Sequence, residues 1–291
     1  MSHDSSSSSL PRTPLDLPFA VEVSDMDDTV RTPGMARSFA SGRTILALML
    51  REMSTRYGRT VGGYFWSVIE PVSAIFILAL GFSLLIRSPS LGSNFFLFYA
   101  SGYIPFHLYQ QISVTGARSI SFSRPLLFYP AVTWVDAVLA RFILNALTGI
   151  MVSYLTLLIV MMTLDTRTVI DVGPVLLAGL LSMALGFGIG TINCALEGLY
   201  PTWEIIWSII TRPLFLASGI LFIYEDMPQG VQNILWYNPL MHITGIFREG
   251  IFPLYEPEYV STAYVLIIAF SMTTLGLMML RRFNREILEN G

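Results

Sequence analysis

Six long apolar runs divide most of this chain, at about 68–86, 95–114, 135–163, 173–196, 205–223 and 259–280. A helix needs about 20 apolar residues to cross hydrocarbon. Runs of that length between short polar breaks therefore specify an all-α polytopic membrane protein with six transmembrane helices. The charged share agrees: 13% of 291 residues, against 53% hydrophobic, roughly half of what a soluble domain carries.

All 17 basic residues are arginine. Without lysine there is no P-loop and no lysine Schiff base, so if ATP drives this protein another chain must bind it. Cys194 is the single cysteine, and no internal disulfide framework is possible. Residues 1–40 are polar, with Ser5–Ser9 and the acids Asp25, Asp27 and Asp28. They lack the charged-then-apolar design of a signal peptide, and a disordered cytoplasmic tail is expected. Residues 41–291 form the membrane domain.

Over residues 43–60 the spacing predicts an N-terminal amphipathic interface helix. Ile45, Met49, Met53 and Tyr57 recur at i, i+4 with Leu46 and Leu50 beside them, while Arg43, Arg51 and Arg59 take other faces. Gly62 and Gly63 break it, and Tyr64, Phe65 and Trp66 follow as an aromatic belt at headgroup depth. Glu70 and Pro71 open the first span, where proline suits a first helical turn and the acid suits the positive dipole end.

The second span carries Ser101, Gly102, Pro105, His107, Gln110 and Gln111, which are expected to face other helices or a cavity. In the connection 115–134, with Arg118, Arg124, Pro125 and Pro130, a short helix is expected around Ser119–Tyr129. Asp136 and Arg141 start the third span, and Arg141 is expected to snorkel to the interface. Gly179, Gly186, Gly188 and Gly190 in the fourth span allow close helix approach. The run 186–190 is no nucleotide fingerprint, since it lies mid-span and follows no strand. The fifth span contains Arg212 and Pro213. Residues 224–258 alternate short apolar runs with Pro228, Gly230, Pro239, Gly245, Gly250, Pro253 and Pro257, as in a re-entrant or surface-lying outer segment between spans five and six.

Arginine distribution gives the orientation. Arg51, Arg56, Arg59, Arg118, Arg124, Arg281, Arg282 and Arg285 fall on one side; Arg87, Arg167 and Arg248 fall on the other, with Asp165, Asp171, Glu225, Asp226, Glu249, Glu256 and Glu258. Both termini are thus expected in the cytoplasm.

The chemistry classes narrow by elimination. No acid lies clearly at mid-membrane, which counts against a proton-coupled flippase or transporter. H-E-x-x-H and G-x-S-x-G are absent, and His3, His107 and His242 are scattered. A membrane acyltransferase would have to use His242 with Glu249; the plainer reading of His242 is a loop histidine bonded near Asn238. No selectivity filter or ring-forming charged span suggests a channel. Neither a metal nor a cofactor site is expected in this chain, and no nucleic acid partner.

The helix pattern running into R-Y-G-R-T-V-G-G-Y-F-W-S-V-I-E-P, with W-x-x-x-E-P at Trp66–Pro71 and N-P-L-x-H before the last span, resembles the permease of capsular and related polysaccharide ABC exporters. The resemblance runs from about Thr44 to the C-terminus. It implies a homodimer in the bacterial inner membrane, each copy paired with a cytoplasmic ATPase subunit that carries ATP and magnesium. The substrate implied is a lipid-linked capsular polysaccharide, handed on to periplasmic and outer-membrane export proteins; an O-antigen or teichoic acid permease is the near alternative. By the same resemblance the segment around Ser119–Pro125 is the coupling helix, with Arg51, Arg56, Arg59, Arg118, Ser119, Ser121 and Arg124 as coupling residues. Residues 224–258 correspond to the outer gate. A polysaccharide cannot shed its water into hydrocarbon, and aromatic walls let sugar rings slide. Tyr64, Phe65 and Trp66 at the inner mouth, and Tyr224, Trp236 and Tyr237 at the outer one, are the candidate substrate path.

Overall fold

A computed structural model describes residues 40–56, 62–128, 132–163 and 169–290. The expected tail, up to residue 39, and Tyr57, Arg59, Pro130, Asp165 and Arg167 lie outside the described residues. Among those described there is no strand. The helices are α1 (Ala40–Arg56), α2 (Gly63–Ser83), α3 (Phe95–Ala117), α4 (Ser119–Leu127), α5 (Trp134–Thr163), α6 (Val172–Leu199), α7 (Trp203–Ala217), α8 (Gln229–Leu235), α9 (Pro239–Ile251) and α10 (Thr262–Asn290).

Local chemistry sets most helix starts. The side chains of Asn94, Asp171 and Asn238 accept from the amides of Phe96, Gly173 and Leu240 at 2.9, 3.0 and 3.0 Å, capping α3, α6 and α9. At α5, Asp136 accepts from the amide and hydroxyl of Thr133 while the Thr133 hydroxyl accepts from the Asp136 amide, a reciprocal cap.

Helix α2 starts earlier than the sequence suggests. Gly62 adopts a left-handed φ of 79° and releases the chain into helix at Gly63, so Tyr64–Trp66 are its first turn. Pro71 is inside the helix, not at its start, and Glu70 lies mid-helix on the exposed face.

Helices α3 and α6 form the centre. Added Cβ atoms at Gly186 and Gly190 would lie 2.8 and 3.1 Å from the Tyr109 and Ser113 carbonyl oxygens of α3, and one at Gly188 would lie 2.9 Å from the Ala269 carbonyl of α10. The small residues of α6 therefore seat α3 on one face and α10 on the other. Phe98, Tyr99, Phe106, Tyr109, Leu181, Leu185 and Ile220 fill the surrounding core.

Among the described residues four helices, α2, α5, α6 and α10, are long and apolar enough to cross a membrane. Helix α3 has the length but is more polar, because protein surrounds it: Ser101, Ser113 and Thr115 are buried, and Ser101 donates to the Phe98 carbonyl at 2.7 Å. Helix α7 falls short of the run expected over 205–223. It has 15 residues, about 22 Å at 1.5 Å per residue. The chain leaves it at Gly219, whose φ of 71° ends the helix. Arg248 of α9, fully buried, then takes the carbonyls so freed: Nη1 donates to Phe222 O at 2.8 Å and Nη2 to Ile220 O at 3.3 Å. Its guanidinium sits 4.4 Å from the centre of the Phe98 ring.

Candidate functional site

The residues expected to meet a partner collect at one end of the bundle, around α4. Arg118 ends α3 and precedes α4, and its Nη2 donates to Glu204 Oε1 in the first turn of α7. Both side chains are more than half exposed, at 56% and 57%. From α4, Arg124 donates to the Leu288 carbonyl near the end of α10 at 2.7 Å. The Ser121 hydroxyl is exposed and donates to the Arg118 carbonyl. Ser119, by contrast, is fully buried and donates to the Gly116 carbonyl, so its side chain faces the bundle.

Arg141 departs from the snorkelling expected of it. It is buried, its Nε stands 3.3 Å from Glu52 Oε1 of α1, and its Nη1 donates to the Arg118 carbonyl at 3.0 Å. Its guanidinium lies 4.5 Å from the centre of the Phe122 ring of α4, and that of Arg51 lies 5.8 Å from the same ring. Helix α1 thus rests on the bundle through Leu48 and Glu52, while Leu46, Leu50 and Met53 stay exposed. Arg56 closes α1. Glu52, Phe122, Arg141 and Glu204 were not singled out as site residues. The available signal was a lone acid within an arginine-rich helix and a lone arginine at the start of an apolar one.

Beside this cluster a cleft of about 610 Å³ runs between α3 and α7. Phe106, Gln110, Trp207, Ser208, Thr211, Arg212 and Phe215 line it, with Arg118, Glu197 and Glu204 at its α4 end.

The two aromatic groups are far apart in the fold. Phe65 and Trp66 are exposed in the first turn of α2, and Tyr64 and Phe65 border an apolar groove against α5. The other group gathers where α8, α9 and α10 meet. Tyr224 stacks on Tyr259 at 4.1 Å, and Trp236 packs on Tyr237, His242 and Tyr264. The Trp236 indole donates to the Tyr259 carbonyl, and Tyr237 remains exposed.

His242 is helical rather than in a loop, and buried. Its Nε2 is 2.7 Å from the Trp236 carbonyl, and its Nδ1 accepts from the Ser261 amide at 3.2 Å. Those contacts place the proton on Nε2 and leave neither nitrogen free for an acyl-transfer role with Glu249, about two turns away.

Comparison with known proteins agrees over most of the chain. The family model for ABC-2 type transporters matches residues 43–252. The polysialic acid transport protein KpsM of Escherichia coli is 30% identical over 240 residues, which is 82% of this chain and 92% of that protein. The capsule polysaccharide export inner-membrane protein BexB of Haemophilus influenzae is 28% identical, covering 84% of this chain and 93% of its own. The corresponding CtrC of Neisseria meningitidis serogroup B is 27% identical, covering 84% and 92%.

Proposed function

The chain belongs to the ABC-2 type transporter family, and on that premise we propose that it is the transmembrane subunit of an ATP-driven exporter of lipid-linked capsular polysaccharide. The carrying observation is similarity to a polysialic acid transport protein and to two capsule polysaccharide export inner-membrane proteins, spanning more than nine-tenths of their length. Two copies enclose the path and two cytoplasmic ATPase subunits, holding ATP and magnesium, work it from below. Helices α3 and α7 complete a six-span bundle with α2, α5, α6 and α10. Both termini are cytoplasmic, α1 lies in the interface, and α8 and α9 form a re-entrant outer gate. Periplasmic and outer-membrane export proteins receive the polymer.

The α4 end suits the transmission of force. Arg118 ties the start of α4 to α7, Arg124 ties it to α10, and Phe122 sits under Arg141 and Arg51, joining α5 and α1. Movement of α4 by a closing ATPase therefore reaches four helices directly. Exposed Ser121 and Arg118 offer the ATPase polar contacts. The cleft between α3 and α7, with Phe106, Trp207 and Phe215 on its walls and Gln110, Ser208, Thr211 and Arg212 among them, suits hydroxylated sugar rings better than hydrocarbon tails.

The test is purification of the full chain from its host. A P-loop ATPase subunit should co-purify, and a hydrolysis-dead form of that subunit should abolish export. Transport by this chain alone in liposomes would overturn the reading. In a null strain the polymer accumulating in the cytoplasm identifies the cargo, and an O-antigen or teichoic acid there would replace capsule.

A further inference from the structure

Two opposite charges sit on outward faces of helices that have little to pack against. On α2, Pro71, Ile75 and Ala79 face the bundle, and Glu70 lies opposite with exposed Trp66, Ser73 and Ile77. Helix α7 has no buried residue at all. Arg212 sits at the edge of its cleft face, on the side of exposed Ile205, Ile209 and Leu216. Among the described residues, neither Glu70 nor Arg212 makes a hydrogen bond or ion pair.

The two lie at one depth. Both helices start at the α4 end, since Glu204 in the first turn of α7 meets Arg118 and α2 joins α3 by a short loop at the opposite end. From those starts Glu70 is about 10 Å along α2 and Arg212 about 13 Å along α7. Helix α3 gives the same level. Glu70 is within electrostatic reach of Tyr103 and His107, Arg212 shares its cleft with Gln110, and Phe215, one turn on, packs on Tyr103 at 6.4 Å.

An exposed, unpaired charge at that depth is costly against lipid. Two of opposite sign at equal depth complement each other. A two-fold axis makes every such contact twice, residue i on j and j on i. We propose that Glu70 of one copy pairs with Arg212 of the partner subunit, closing the α2–α7 seam of a homodimer at two symmetry-related points. This rests on the exporter reading above and names the seam that the reading leaves open.

Complementation in trans tests it in capsulated cells carrying the ATPase. Glu70→Arg alone and Arg212→Glu alone should each lower surface capsule about tenfold or more, through like-charge contact. Co-expressing the two variant chains should restore it, because the mixed dimer holds one Arg–Glu pair at each seam. A pair within one chain would stay broken in both partners, so failure to restore overturns the proposal. Should the reversals fold poorly, Glu70→Cys/Arg212→Cys in membranes should oxidise to a dimer, with neither single variant doing so. An intrachain disulfide, a dimer from either single variant, or unreacted thiols would each overturn the pairing. The native mass of the purified complex separates the two levels: a dimer without this pair refutes the seam alone, and a single copy refutes the exporter reading with it.

Discussion

At the scale of single residues, two ion pairs at the α4 end differ in burial and so in what they do. Arg118 and Glu204 are over half exposed, and such pairs contribute about 0–1 kcal/mol. Arg118→Ala should leave the melting temperature of the detergent-purified complex nearly unchanged while cutting ATP-driven export, a split visible by assaying both on one preparation. Arg141 and Glu52 are 9% and 5% exposed. Arg141→Ala removes a cationic partner from a buried carboxylate and should cost up to about 3–5 kcal/mol, read as lost thermal stability and proteolysis within α1. Sequence displayed all four charges. It did not display their partners, because Glu52 and Arg141 are separated by three whole helices, α2, α3 and α4, and meet only on folding. Ser119 makes the same point from the other side: Arg118 and Ser121 nearby are exposed, but its own hydroxyl turns inward with Ile120.

At the scale of elements, glycine spacing in α6 was legible as close packing, and the structure supplies the partners. Gly188→Leu would drive a side chain into the α10 backbone at Ala269 and Thr273. Overpacking of this kind costs about 1–3 kcal/mol or more, so the variant should melt earlier and express poorly, whereas Gly179→Leu, with open space around it, should not. The α8–α9 segment is expected to respond to pH through His242, which lies outside the four long apolar helices. Burial lowers its pKa, with the Trp236 carbonyl pulling the other way. A folded-state pKa below the unfolded value of about 6.5 means that its contribution is complete above that value and is lost as pH falls through the folded one. Protonation at Nδ1 removes the acceptor for the Ser261 amide. Acidification from neutral pH should therefore speed hydrogen exchange at Ser261 and alter Trp236 fluorescence, and His242→Gln should abolish that pH dependence. The start of α2 and the end of α7 were misplaced in sequence for one reason. Each boundary is set by a glycine in a left-handed conformation, Gly62 or Gly219, and such conformations are invisible to hydropathy.

At the scale of the whole molecule, the proposed six-span topology has a direct test. Cysteines placed at Ser90 and Gln229 should react with impermeant maleimide from outside intact spheroplasts, and one at Arg285 only after lysis. Labelling of Arg285→Cys from outside would invert the arrangement. What the sequence determined by itself is the class of object. Long apolar runs satisfy their backbones as helices in hydrocarbon, an all-arginine complement leaves no lysine for a nucleotide loop, and the sequence over residues 43–252 carries the family. What the tertiary structure decided is where those helices stop and which polar groups are inside. Arg248 reaches from α9 to hold the carbonyls beyond α7, and α3 tolerates its serines, glutamines and proline because α5, α6 and α9 enclose it. Hydropathy records the average solvent a segment prefers; only packing decides whether a given polar atom meets lipid, water or another atom of the protein.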